Sequence, residues 1–324
     1  MVGEGAELDP NCWPSHRVRP RGMVYARRKA LSQRSMVEIS NGGMGGKVVL
    51  ITGGTSGIGK ATATALAAMG AGVVVSGRDR ERGEAALAEI RRASDSEKVS
   101  LMLADLAVQS EVRKLADDFR ERHDRLDVLV NNAGLIRSER TETPDGIELT
   151  LAVNHLAPFL LTNLLLDLLI ESAPSRIITV SSEARRSAEI DFDDLQSERR
   201  YRAFPVYGMT KKANILFTYE LAERLAGTGV VANCVHPGGV NTNFGDDNRS
   251  PGILLFRAFK PFMRTPEQGA DTVIYLASSP EARAMSGRCL VDRQEVSPAE
   301  PRDEAAQKRL WEVSEKLTEL EVPS

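Results

Sequence analysis

Residues 46–70, GKVVLITGGTSGIGKATATALAAMG, decide how the rest of the chain is read. Val48 to Ile51 is a short apolar run and predicts a buried strand. It breaks into Gly53, Gly54, Gly57 and Gly59, after which Ile58, Ala61, Ala65 and Met69 recur at helical spacing. Strand, glycine turn and helix in that order form a phosphate cradle. The glycines let the backbone approach an anion, and the helix start offers N–H groups with a partial positive charge. The spacing is TGxxxGxG rather than the commoner GxGxxG, and glycines can mark only a tight turn. The strand-to-helix setting favours a dinucleotide site, with Thr55, Ser56 and Ile58 among the glycines.

Working outward, the same alternation repeats. Ala71 to Ser76, Val99 to Ala104, Leu126 to Val130, Arg176 to Val180, Val230 to Val235 and Arg288 to Val291 read as strands. Helical patterns over Glu81 to Arg92, Glu111 to Arg122, Glu148 to Ile170, Pro205 to Leu225 and Pro266 to Ser278 lie between them. This β-α alternation predicts an α/β fold of the Rossmann type. It is a doubly wound parallel sheet of about seven strands with helices on both faces, in a single domain. Ligands gather at the carboxyl ends of such strands.

Residues 1–45 differ from the rest. Pro10, Pro14 and Pro20 and a basic run from Arg17 to Arg34 predict a disordered or poorly ordered extension. No stretch there approaches the roughly 20 apolar residues of a membrane span, so no transmembrane anchor is expected. A net charge of −3 gives no electrostatic case for nucleic acid. Cys12, Cys234 and Cys289 form neither a disulfide framework nor a metal motif, so a reducing, cytoplasmic setting without a metal is expected. Residues 241–264 hold Ile253, Leu254, Leu255, Phe256, Phe259 and Phe262. They read as a lid over an apolar substrate, or as a patch for a partner or membrane. Residues 293–324 read as an amphipathic helical tail without site chemistry.

The strand ends carry the candidate chemistry. Arg78 follows the second strand, about 20 residues past the glycine loop, where an acidic residue would favour NAD. An arginine there can fork onto a 2′-phosphate and favours NADP, although Asp79 stands beside it and a solvated arginine is the plainer reading. Asp105-Leu106 could meet the adenine, or Asp105 could cap the helix at Val108. Asn132-Ala133-Gly134 offers an amide and small side chains, or a plain turn. Pro158 has no N–H for the carbonyl of Asn154, which predicts a kink and a free acceptor able to hold a water. His155 reads as a packing residue. Tyr207 and Lys211 share a helix face. Val240 and Thr242 follow Pro237-Gly238 at the end of the sixth strand.

Together, Thr52-Gly53 with Gly57 and Gly59, Asn131 to Gly134, Asn154, Ser182, Tyr207 with Lys211, and Pro237-Gly238 resemble the short-chain dehydrogenase/reductase family over residues 46–292. VNHLAPFLLTNLLL, KKANILFTYELA, TPEQGA and RLWEVSEKL are most similar to its retinol dehydrogenase branch. The resemblance implies NADP(H)-dependent hydride transfer to or from a carbonyl or alcohol carbon of a small apolar substrate. Asn154, Ser182, Tyr207 and Lys211 would be the catalytic set. Lys211 and oxidised nicotinamide would lower the Tyr207 phenol toward neutrality, and Ser182 would hold the carbonyl oxygen. It also implies a homo-oligomer paired through long helices. Two other readings stay open: an NADP-binding regulator without turnover, and reduction of a ring double bond as in protochlorophyllide reductases.

Overall fold

The computed structural model describes residues 43–240, 263–296 and 302–320. Most of the expected extension and lid lies outside these residues. Eight strands form one sheet in the order β3-β2-β1-β4-β5-β6-β7-β8. The first seven run parallel: β1 Val48–Thr52, β2 Gly72–Gly77, β3 Val99–Leu103, β4 Val128–Asn131, β5 Ser175–Val180, β6 Val230–Val235 and β7 Arg288–Val291. Their apolar runs are nearly continuous because helices cover both faces. Val49, Leu50 and Ile51 of β1 and Val73, Val74 and Val75 of β2 are all buried.

The eighth strand, β8 Gln294–Glu295, pairs antiparallel with β7 and is one more than the sequence suggests. Its turn places Asp292 and Arg293 at φ of 51° and 61°. That is a tight primed hairpin without the Asn-Gly or Asp-Gly pair that usually announces one. An ion pair from Arg293 to Asp271 and a bond from Arg293 N–H to Thr272 Oγ1 at 3.1 Å hold it.

On one face, α1 (Gly57–Ala68) packs between α2 (Arg80–Ser94) and a later helix, Pro266–Ser278. On the other lie α3 (Gln109–Arg122), the segmented helix α4 (149–164), α5 (Leu166–Glu171) and α6 (Ala203–Arg224). The helix Pro266–Ser278 is α7, and α8 (Glu304–Leu317) covers the outside of α6. Helix α4 begins with one α-turn, Leu149–Leu151, widens into a π-turn, Ala152–Leu156, and resumes as an α-helix over Ala157–Leu164. Here the N–H of Ala157 reaches back five residues to Ala152 O. Helix α6 is buried on nearly all sides, enclosed by the sheet, α4 and α8. Among the described residues no helix is long and apolar enough to cross a membrane.

Strand order reverses between β1 and β4, which leaves a crevice at their carboxyl ends. The glycine loop and the Asn131–Gly134 turn both open there.

Candidate active site

A cleft of about 780 Å³ follows this crevice. Its floor is the glycine loop. Gly53 turns back at φ +63°. A side chain at Gly59 would overlap Gly53 O and come within 2.5 Å of Asn132 Nδ2, so backbone packs directly on backbone. Ser56 is the N-cap of α1 but makes no side-chain capping bond, which leaves the first N–H groups of the helix for another acceptor. The loop is tied to its neighbour through Thr52 Oγ1, which accepts the N–H groups of Asn132 and Ala133 at 3.1 Å each. Asn132 Nδ2 donates in return to Thr52 O at 2.9 Å.

Thr55, Ser56, Gly57, Ile58, Arg78, Asp105, Leu106, Ala133, Gly134 and Val240 also line the cleft. Gly59 stands just behind it, and Thr242 lies outside the described residues. Arg78 is exposed at the cleft rim, and Arg82, which the sequence reading did not single out, joins it there. Asp79 is otherwise engaged: its carboxylate accepts Arg82 N–H at 2.9 Å as the N-cap of α2. That bond and the Arg82 charge lower its pKa. Asp105 does not cap α3. Its Oδ1 accepts Ala107 N–H at 3.0 Å within a turn, while Asp145 accepts the first N–H of α3 at 2.8 Å. These residues fit an anionic dinucleotide: a backbone cradle with no room for Cβ, an uncapped helix start and two guanidinium groups at the far rim.

Ser182, Tyr207 and Lys211 form the opposite wall. Tyr207 is half-buried, and the Ser182 hydroxyl is hydrogen-bonded to its phenol. Lys211 Nζ lies 5.7 Å from the centre of the Tyr207 ring and donates to Val180 O at 3.0 Å. Burial pushes the phenol up to about 12, against the opposing bond from Ser182, and brings the lysine down to about 8. In the cofactor-free protein desolvation therefore outweighs the Ser182 bond, opposite to the lowering expected when oxidised nicotinamide is also present.

Asn154 is fully buried beneath Gly134. Its side chain clamps Leu135, accepting that N–H at 2.8 Å and donating to that carbonyl at 2.9 Å. Its main-chain carbonyl has lost its helical donor to Pro158, as expected, but it is not left free. Asn214 Nδ2 donates to it at 2.9 Å, and the second lone pair remains for another donor.

Two further residues of the cleft escaped the sequence reading. Phe204, at the mouth, is 42% exposed and stands one helical turn before Tyr207, a spacing that was open to inspection. His236 follows the end of β6 and donates from Nε2 to Glu183 at 2.9 Å. Burial lowers its pKa to about 4.

The short chain dehydrogenase family model matches residues 47–251. Retinol dehydrogenase 14 of Homo sapiens is 44% identical over 294 residues, spanning 86% of this chain and 88% of that protein. A short chain dehydrogenase from Burkholderia cenocepacia J2315, solved in complex with NADP, superposes with a TM-score of 0.61 at 29% identity, covering 76% of this chain and 96% of that one. A 3-ketoacyl-(acyl-carrier-protein) reductase from Brucella melitensis, complexed with NADH, gives 0.59 at 25%, with the same coverage. The chain belongs to the short-chain dehydrogenase/reductase family of nicotinamide-dependent oxidoreductases, in its retinol dehydrogenase-like branch.

Proposed function

We propose that the protein is an NADP(H)-dependent oxidoreductase that interconverts the carbonyl and alcohol forms of an apolar substrate. One observation carries this reading: Ser182, Tyr207 and Lys211 share a cleft with the glycine loop. When bound, the dinucleotide supplies or accepts the hydride. The N–H groups at the start of α1 would hold its phosphates, and Lys211 its ribose. In reduction, the Tyr207 hydroxyl donates its proton to the carbonyl oxygen. In oxidation, the phenolate takes that proton back. Ser182, already bonded to the phenol, places the substrate oxygen and stabilises its developing charge. The Lys211 ammonium favours the phenolate left behind. Asn154 holds Leu135, and with it the loop through Gly134 that closes this part of the cleft.

Arg78 and Arg82 at the rim support NADP over NAD, because guanidinium pairs with a 2′-phosphate. A retinol dehydrogenase relative and an exposed Phe204 lining the same cleft as Leu135 and Ile136 support a long apolar alcohol or aldehyde. The test is a panel of aldehydes and ketones, retinal included, followed by NADPH absorbance. Tyr207→Phe should cut kcat by about 10²–10⁴ while NADPH still quenches intrinsic fluorescence as in the parent. Parental turnover in that variant would remove the tyrosine assignment.

A further inference from the structure

Tyr207, Lys211, Asn214 and Thr218 follow one another along a single face of α6. The first two line the cleft; Asn214, 1% exposed, lies deeper. Its amide has three neighbours, one of them Val180 O at 3.5 Å from Nδ2, the carbonyl that also accepts Lys211 Nζ. Nδ2 donates to Asn154 O at 2.9 Å, so Oδ1 is turned to the imidazole of His155, 3.3 Å from Nδ1. Oδ1 can only accept, so the proton of the neutral ring sits on Nδ1. Nε2 is then an acceptor 2.9 Å from the hydroxyl of Ser314 on α8, whose one proton is shared between Nε2 and Leu310 O, 2.7 Å away. Ser314 and His155 are both fully buried. A directed chain of donors thus joins α4 to α6, His155 to Asn214 and Asn214 to Asn154 O, with Ser314 of α8 against the far side of the imidazole.

The π-turn explains why such a chain is useful. The Asn154 carbonyl cannot take the ordinary helical donor, because Pro158 has no N–H, and its side chain and Lys211 Nζ each stand 3.3 Å from where a Cβ on Gly134 would lie. A carbonyl without a donor in this setting would be free to tilt. We propose that Asn214 is a positioning residue: with His155 and Ser314 behind it, it aims the Asn154 carbonyl and keeps the wall that carries Lys211 in its working shape. This rests on the carbonyl–alcohol reading above.

The first test uses the cofactor-free protein. Long-range 15N NMR of the His155 ring, assigned with His155→Gln, should report the Nδ1–H form. The Nε2–H form would reverse the order of donors and overturn the proposal. The second test is Asn214→Asp, which keeps the acceptor for His155 but removes the donor to Asn154 when ionised. His155 and Lys211 are the ionisable groups facing it. The variant should lose about tenfold or more in kcat, with KM for NADPH near the parent value. Activity should partly return toward lower pH as the new carboxyl regains a proton and can donate, a limb the parent lacks. Parental kcat with a parental pH profile would sink the proposal. Ser314→Ala, remote from the cleft lining, should give a smaller loss in kcat, and a stability change with unaltered kcat would count against the chain. Absence of turnover by the parent protein would instead overturn the underlying reading, and the positioning role with it.

Discussion

At the scale of single residues, burial of Lys211 has a cost that pH can reveal. Its pKa of about 8 lies below the ordinary lysine value of 10.5. Below pH 8 the ammonium is charged in both folded and unfolded chains, and the folded state carries the full desolvation penalty, on the order of 3 kcal/mol. Between about 8 and 10.5 the unfolded chain binds more protons, so stability rises with pH across that window. The cofactor-free parent should gain stability there in denaturant titrations, and Lys211→Met should start higher at neutral pH and lack the rise. Arg78 invites a different measurement. Arg78→Ala should raise KM for NADPH about tenfold or more and leave KM for NADH nearly unchanged; equal effects would exclude a 2′-phosphate contact. The catalytic roles given to Asn154 and Ser182 came with the family resemblance, whereas the glycines and the Tyr207–Lys211 pair could be singled out because their spacing is local, and Ser182 because it follows a strand end. Asn214 could not. Its partners, His155 and Asn154, stand about 60 positions away, and only the packing of α4 on α6 joins them.

At the scale of elements, the β1–loop–α1 unit is the most constrained part of the site. Gly59→Ala would push Cβ into Gly53 O, which is backbone, and into Asn132 Nδ2, which its bonds to Thr52 O and Gly53 O hold in place. The variant should lose measurable NADPH binding and drop in Tm, the overlap costing about 1–3 kcal/mol. The alternation of strands and helices made this architecture readable in advance. The interruptions of α4 were only half readable. Pro158 announced the lost hydrogen bond, but the wide turn that precedes it and the side-chain donor that fills the gap depend on α6. The β7–β8 hairpin was unreadable for a local reason: Asp292 and Arg293 adopt a left-handed turn usually left to glycine and asparagine.

At the scale of the molecule, α8 belongs to the core rather than to its edge. The amphipathic pattern of residues 302–320 showed that one face would be covered, but not by what. Trp311, 4% exposed, packs at 5.0 Å between centroids on Phe159 and at 5.9 Å on Phe217, with the Arg224 guanidinium 4.1 Å from its ring. Trp311→Ala should cost about 3–5 kcal/mol of stability, seen as a lower urea midpoint, and should disturb kcat because the same helix carries Ser314. The joint between Val240 and Arg264 bears on how such a molecule diversifies. The two residues form a parallel bridge; Arg264 N–H reaches Gly239 O at 2.9 Å, and its guanidinium grips Asp292. Residues 240 and 264 are thus held at one clasp, with the interval encoded between them closed by it. Closing a longer loop across a clasp adds only about 0.6 kcal/mol per doubling of length. A change in the number of residues encoded in that interval should therefore cost little in stability.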